Sequence, residues 1–140
     1  MSQEIVEVVR RMYSRLADRG AWRRGNYDDV CRDFCSADYE LIPPPIYPDS
    51  ATSYRGLEGV HQWQRLMDEI WAEWDFQAER FFDAGDEVAV FVRTSGTARQ
   101  SGAPVEIPVA HVVTLRDGRV TRLKVFLDRH EALQAVGLSE

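Results

Sequence analysis

Pro104-Val105-Glu106-Ile107-Pro108-Val109-Ala110-His111-Val112-Val113-Thr114-Leu115-Arg116, followed by Asp117-Gly118-Arg119, decides the fold. Successive side chains of a strand point to opposite faces. The odd positions are Val105, Ile107, Val109, His111, Val113 and Leu115; the even ones are Glu106, Pro108, Ala110, Val112, Thr114 and Arg116. The odd set reads as the buried face. One imidazole therefore stands in a row of aliphatic side chains.

Asp117-Gly118 marks a hairpin, and the turn chosen sets what the next strand buries. A three-residue loop with a glycine bulge pairs Leu115 with Arg119 and His111 with Leu123. It turns Leu123, Val125 and Leu127 inward and sends Arg122 and Lys124 to solvent. A two-residue loop would reverse the faces and bury two unpaired cations, so the bulged register is the expectation.

Working outward, period-two patterning predicts strands over 75–83, 87–99, 104–116 and 119–128. Ala84-Gly85-Asp86, Ser101-Gly102 and Asp117-Gly118 punctuate them. Upstream the period is 3.6. Residues 2–24 place Ile5, Val9, Met12 and Leu16 on one stripe. Gly25-Asn26 interrupts, and Asn26 is expected to cap a second helix over 27–34. Residues 39–42 read as a short strand that Pro43-Pro44-Pro45 halts, and 46–55 as a polar loop. A third helix is expected over 57–74, with Val60, Trp63, Leu66, Met67, Ile70 and Trp71 on one face. A last helical turn over 131–136 ends at Gly137. Helices segregate from antiparallel strands, so the class is α+β. The expected form is a cone-shaped barrel: three N-terminal helices packed on a curved, mostly antiparallel sheet, in one domain over 1–140. An apolar pocket with His111 on its wall lies between them.

The 140 residues are 44% hydrophobic and 11% aromatic, enough for a real core in one domain. A net charge of −6 argues against nucleic acid, whose phosphates call for a basic stripe. No run of about 18 apolar residues is present, and the N-terminus lacks a signal-peptide apolar core. The expectation is a cytoplasmic protein with no membrane partner. Cys31 and Cys35 read as reduced, buried thiols. His61 and His130 share no ligand spacing with His111, so neither a metal nor a cofactor is expected.

Several stretches carry a family likeness in their order and spacing: Trp22-Arg23-Arg24-Gly25-Asn26-Tyr27-Asp28, Tyr54-Arg55-Gly56-Leu57-Glu58-Gly59-Val60 and Asp117-Gly118-Arg119-Val120. Asp128 followed by Glu131-Ala132-Leu133 and Val136-Gly137 continues it. Together they resemble the SnoaL-like branch of the nuclear transport factor 2-like superfamily. The resemblance implies a cone-shaped fold, commonly dimeric, with a pocket between sheet and helices. It implies no single activity, since the superfamily includes ketosteroid isomerase, scytalone dehydratase, epoxide hydrolases, polyketide cyclases and binding-only proteins. Carried over by position, the isomerase's base aspartate falls at Ile42, its helix-one tyrosine near Asp18 and its oxyanion-binding acid close to His111. The epoxide hydrolases' Arg-x-Asp becomes Arg93-Thr94-Ser95, their last-strand acid becomes Val125, and a helper tyrosine matches Tyr39. Polyketide-cyclase relatives use an acid and a histidine, for which this chain offers Asp128 and His111.

The catalytic candidates are thus His111, Arg93 and Asp128. A histidine in an apolar pocket is neutral near pH 7 and able to move a proton. Arg93 would hold an oxyanion. The plainer alternatives are a hydrogen-bonded core histidine, an outward arginine, and an Asp128 that caps the last helical turn. Tyr13, Tyr39, Trp63, Val109 and Val125 are the ligand-binding candidates. Ala110, Val112 and Phe126 form an outer apolar patch, a candidate homodimer surface. The leading functional expectation is cofactor-free acid/base catalysis on a small, largely apolar polyketide, terpenoid or steroid-like molecule. The alternatives are a non-catalytic ligand-binding module and a dimerising scaffold whose pocket is filled by its own side chains.

Overall fold

The computed structural model describes residues 2–19, 24–48 and 50–138. The elements run α1 (Ser2–Arg19), α2 (Arg24–Phe34), β1 (Cys35–Ile42), β2 (Tyr54–Arg55), α3 (Gly56–Ile70), β3 (Trp71–Asp83), β4 (Glu87–Ala98), β5 (Pro104–Arg116), β6 (Arg119–Phe126) and α4 (Arg129–Ala135). The six strands form one open sheet in the order β2-β1-β6-β5-β4-β3. All neighbours are antiparallel except the β1–β6 pair, which is parallel. The fold is α+β, and two strands separate the second helix from the third.

The α1 stripe is buried as its spacing requires: Val9, Met12, Tyr13 and Leu16 join the core. Positions 20–23, including Trp22 and Arg23 of the family-like stretch, lie outside the described residues. Asn26 does not cap α2, which begins two residues earlier. Its amide instead donates to the carbonyls of Arg15 and Leu16 at 3.1 and 3.4 Å, tying α2 to the last turns of α1. Arg119 ties down the end of α2, donating to the carbonyls of Arg32 and Cys35. Cys35 therefore opens β1 rather than sharing a helix face with Cys31, and both thiols are free.

Two differences from the sequence reading share one cause, the β-bulge. Trp71 and Trp74 lie on β3, not on the third helix. The β3–β4 register slips between Trp71 and Glu73, so Ala72 is an extra residue. A bulged strand puts residues three apart on one face, which mimics a helical repeat in sequence. The second case is the β5–β6 hairpin. Arg116 pairs with Arg119 across a two-residue turn, with Asp117 and Gly118 at φ 54° and 76°. This is the primed turn that matches strand twist. The register then slips: Leu115 pairs with Val120 and Thr114 with Arg122, so Thr121 is extra. His111 faces Val125 instead of Leu123. The single extra residue restores the expected parity: Leu123 and Val125 turn in, while Arg122 is exposed. Leu127 lies beyond the strand and is 39% exposed, contrary to expectation.

The sheet is covered on both sides. Residues of α1, α2 and α3 pack with Val88, Val90, Val92, Val109 and Val113 on the inner face. On the outer face α4 buries Ala132 and Leu133 against Ala89, Phe91, Ala110 and Val112. The patch marked for a partner is thus largely covered by the chain itself. Arg129 fastens α4 there. It donates to the carbonyls of Val92 and Val109, both at 3.1 Å, and its guanidinium lies 4.8 Å from the Phe91 ring centre. Both carbonyls sit beside a break in the ladder, one at the Glu79 bulge and one where β6 stops. Among the described residues no helix is long and apolar enough to cross a membrane.

Candidate functional site

Between the inner sheet face and the three helices lies a cavity of about 80 Å³. That is room for several water molecules, and less than the roughly 300 Å³ at which drug-sized ligand pockets begin. Trp63 and Met67 of α3 and Trp71, Trp74 and Phe76 of β3 form an aromatic side. Val109, His111 and Val125 form the sheet wall, and Tyr27 of α2 and Tyr39 of β1 also line the cavity. Ile46, in the loop after the three prolines, lines the cavity and is 42% exposed, which places the mouth at this loop. Tyr47 stands beside it, edge-on to Trp63 at 5.6 Å. No Asp, Glu, Lys or Arg is among the described lining residues.

His111 is 6% exposed. Strand alternation puts it inward, as read from the sequence. Burial pushes its pKa down from 6.5 to about 3, because a cation has no solvent there. Its Nδ1 lies 2.5 Å from the Tyr13 hydroxyl. Tyr13 is 5% exposed and held between the rings of Phe76 and Phe81, each 5.9 Å away and edge-on. Burial raises the Tyr13 pKa well above its usual value. Both members of the pair are therefore uncharged at neutral pH. No hydrogen bond joins His111 Nε2 to another described residue, so the imidazole keeps one nitrogen for what enters the cavity.

Tyr13 itself is not among the lining residues; it acts on the cavity through His111. Tyr39, Trp63, Val109 and Val125 do line it. Tyr27, which sequence reasoning left out, lines it too. Its signal was present: Tyr27, Val30 and Cys31 repeat at the spacing of one helical face. The Tyr27 and Tyr39 phenols are held protonated, mainly by burial. Cys31 and Cys35 also reach the cavity, and the Cys35 thiol is kept protonated by a hydrogen bond with Cys31 and by burial.

Arg93 and Asp128 are not brought to this cavity. Arg93 projects from the outer face, paired with Glu106 at 2.7 Å and Glu79 at 3.1 Å. Asp128 is the N-cap of α4, accepting from the backbone amides of His130 at 2.8 Å and Glu131 at 3.3 Å. Neither can touch a molecule bound beside His111. Of the positions where relatives carry acids, Val125 lines the cavity as an aliphatic residue and Ser95 is exposed. Among the described residues no group of three or more His, Cys, Asp or Glu is placed to hold a metal ion.

A model of the SnoaL-like domain matches residues 9–123. No curated protein matches the chain in sequence. Among solved structures, an NTF2-like protein from Burkholderia thailandensis E264 is 25% identical, with a TM-score of 0.73 over 94% of this chain and 95% of that one. A protein from Jannaschia sp. CCS1, assigned as a SnoaL-like polyketide cyclase, is 22% identical, with a TM-score of 0.70 over 90% and 86%. TerC, crystallised with polyporic acid, is 18% identical, with a TM-score of 0.73 over 95% and 98%.

Proposed function

Since the chain belongs to the SnoaL-like domain family, we propose that its cone-shaped enclosure binds a small, largely apolar molecule and acts on it by cofactor-free acid/base chemistry. The substrate class is a polyketide, terpenoid or steroid-like compound, and the reaction a cyclisation, isomerisation, dehydration or hydrolysis. One observation carries this reading: a buried, uncharged imidazole with a free nitrogen in the wall of an otherwise apolar cavity. His111 is the catalytic residue. Tyr27 and Tyr39 offer phenol hydrogen bonds to the bound molecule, and Trp63, Trp71 and Trp74 offer flat faces. The absence of cations among the described lining residues fits an uncharged ligand. The small cavity means that a ligand of several rings displaces the loop at Ile46 and Tyr47 on entry. Soluble cytoplasmic placement and a homodimer belong to the same proposal.

The test is turnover of a panel of polyketide, terpenoid and steroid enones, followed by mass spectrometry, with His111→Gln beside the wild type. A loss of about 100-fold or more in the variant is expected, the scale of general acid–base catalysis. An unchanged rate on any compound that turns over removes His111 from the chemistry.

A second reading, a ligand-binding module without catalysis, is favoured by the lack of any carboxylate among the described lining residues. Compounds that bind without being converted across the same panel would select it.

A further inference from the structure

Tyr13 has one acceptor within reach. Its hydroxyl lies 2.5 Å from His111 Nδ1, and no other hydrogen bond to a described residue is available to it. Phe76 and Phe81 wall the phenol on two sides, and its ring stands 5.8 Å from the imidazole, tilted by 33°. A neutral imidazole carries one proton, on either nitrogen. If that proton sat on Nδ1, it would point at the phenol oxygen. The phenol proton would then have no acceptor in a dry, apolar setting. An unsatisfied buried donor costs enough to disfavour that arrangement roughly ten- to hundredfold. With the proton on Nε2, the phenol donates to the bare Nδ1 and nothing is left unpaired on that side. Nε2 borders the cavity in either form, and the cavity has room for water to pair with it, whereas Tyr13 does not line the cavity, so the phenol proton decides the balance. The Nε2–H then faces the cavity as a donor.

We infer that Tyr13 is a positioning residue that holds His111 in the Nε2–H tautomer, so that the cavity wall presents a hydrogen-bond donor to the carbonyl oxygen of an uncharged ligand. His111 is then poised to polarise a carbonyl, and not to abstract a proton in its resting form. This rests on the proposed ligand-binding role of the cavity and specifies the chemistry of that ligand. The rest of the wall agrees. Tyr27 and Tyr39 make no hydrogen bond to a described residue, and their phenols add two hydroxyls to the wall that can donate to a bound oxygen. A cavity whose described lining offers hydroxyl, indole and imidazole donors and no charged side chain selects molecules rich in carbonyl-type oxygen over carboxylates and over hydrocarbons.

Two measurements test this. The first is a set of two-bond proton–nitrogen correlation spectra of protein labelled with nitrogen-15 in histidine, with His111→Gln identifying the signals. Nε2 of His111 is expected to be protonated and Nδ1 bare, with the shift of a strong hydrogen-bond acceptor. In Tyr13→Phe that shift disappears and the Nδ1–H form rises at least several-fold. A wild type with the proton on Nδ1 overturns the inference. The second uses acetophenone labelled with carbon-13 at the carbonyl, against isopropylbenzene and benzoate. Bound acetophenone should show its carbonyl carbon deshielded, less so in Tyr13→Phe and His111→Gln, while benzoate stays unbound. The ratio of acetophenone to isopropylbenzene affinity should fall about five- to tenfold in His111→Gln, the worth of one lost hydrogen bond. Acetophenone that binds with an unshifted carbonyl overturns the donor role. Binding by none of the three compounds overturns the ligand-cavity reading, whatever the tautomer.

Discussion

An imidazole sealed among valines gives up its charge, and the protein's stability then depends on pH in a set direction. His111 titrates near 3 when folded and near 6.5 when exposed. Between those values only the unfolded chain takes up the proton. The stability tied to the neutral ring is complete above about pH 6.5 and is lost as the pH falls, at about 1.4 kcal/mol per unit. From pH 6.5 to 5 the wild type should lose about 2 kcal/mol more than His111→Gln, read from urea midpoints. Equal losses in both proteins would mean that the ring is solvated in the folded state. This residue was legible in the sequence because alternation needs only parity, and parity survives errors of strand boundary. The Tyr13 contact was not, since 98 residues separate the two partners and no local pattern links them. Arg93 shows the limit of position-by-position likeness: the arginine is present, but its neighbours Glu79 and Glu106 hold it on the other face.

Elements were read well where one period ran unbroken and badly where a bulge entered. The β5 strand was predicted to the residue because no extra residue interrupts it. The third helix was drawn too long because the Ala72 bulge spaces Trp71 and Trp74 three apart. In the β5–β6 hairpin the expected loop and register were wrong, yet the inward set of Leu123 and Val125 was right, because the extra residue lies at Thr121 and not in the turn. That extra residue gives a sharp test. Deleting Thr121 while keeping Asp117-Gly118 shifts the parity of everything after it. Arg122 and Lys124 would face the cavity and Leu123 and Val125 would face out. The deletion should abolish cooperative thermal unfolding, since two unpaired cations in an apolar wall cost several kcal/mol. A deletion variant that melts like the wild type would show that the bulge does not set the faces. Strand β2 and the length of β1 had no comparable signal: two residues beside a polar loop carry no period to read.

At the scale of the whole molecule, the chain supplies covers for both sides of its sheet. The inner cover encloses a cavity; the outer one, a seven-residue helix, hides an apolar face. Leu133 is 1% exposed and is the chief apolar anchor of α4. Placing a charge there, as Leu133→Asp, should lift α4 from Phe91 and Val112 and leave a contiguous apolar surface. Sedimentation should then give a larger average mass for the variant than for the wild type at equal concentration. Identical masses would show that α4 does not guard this face. The free edges of the sheet are a second exposed feature. One edge is the two-residue β2; the long one is β3, whose outer side hydrogen-bonds no other strand among the described residues. The outward-pointing backbone groups of a thirteen-residue edge strand would ordinarily recruit a strand from another molecule. Both of its bulges, at Ala72 and Glu79, lie on this edge, and Glu79 adds a charge. A strand broken twice cannot template a straight neighbour. The extra residue at Ala72, which sets Trp71 and Trp74 on the cavity side, thus also blunts this edge against strand-to-strand association.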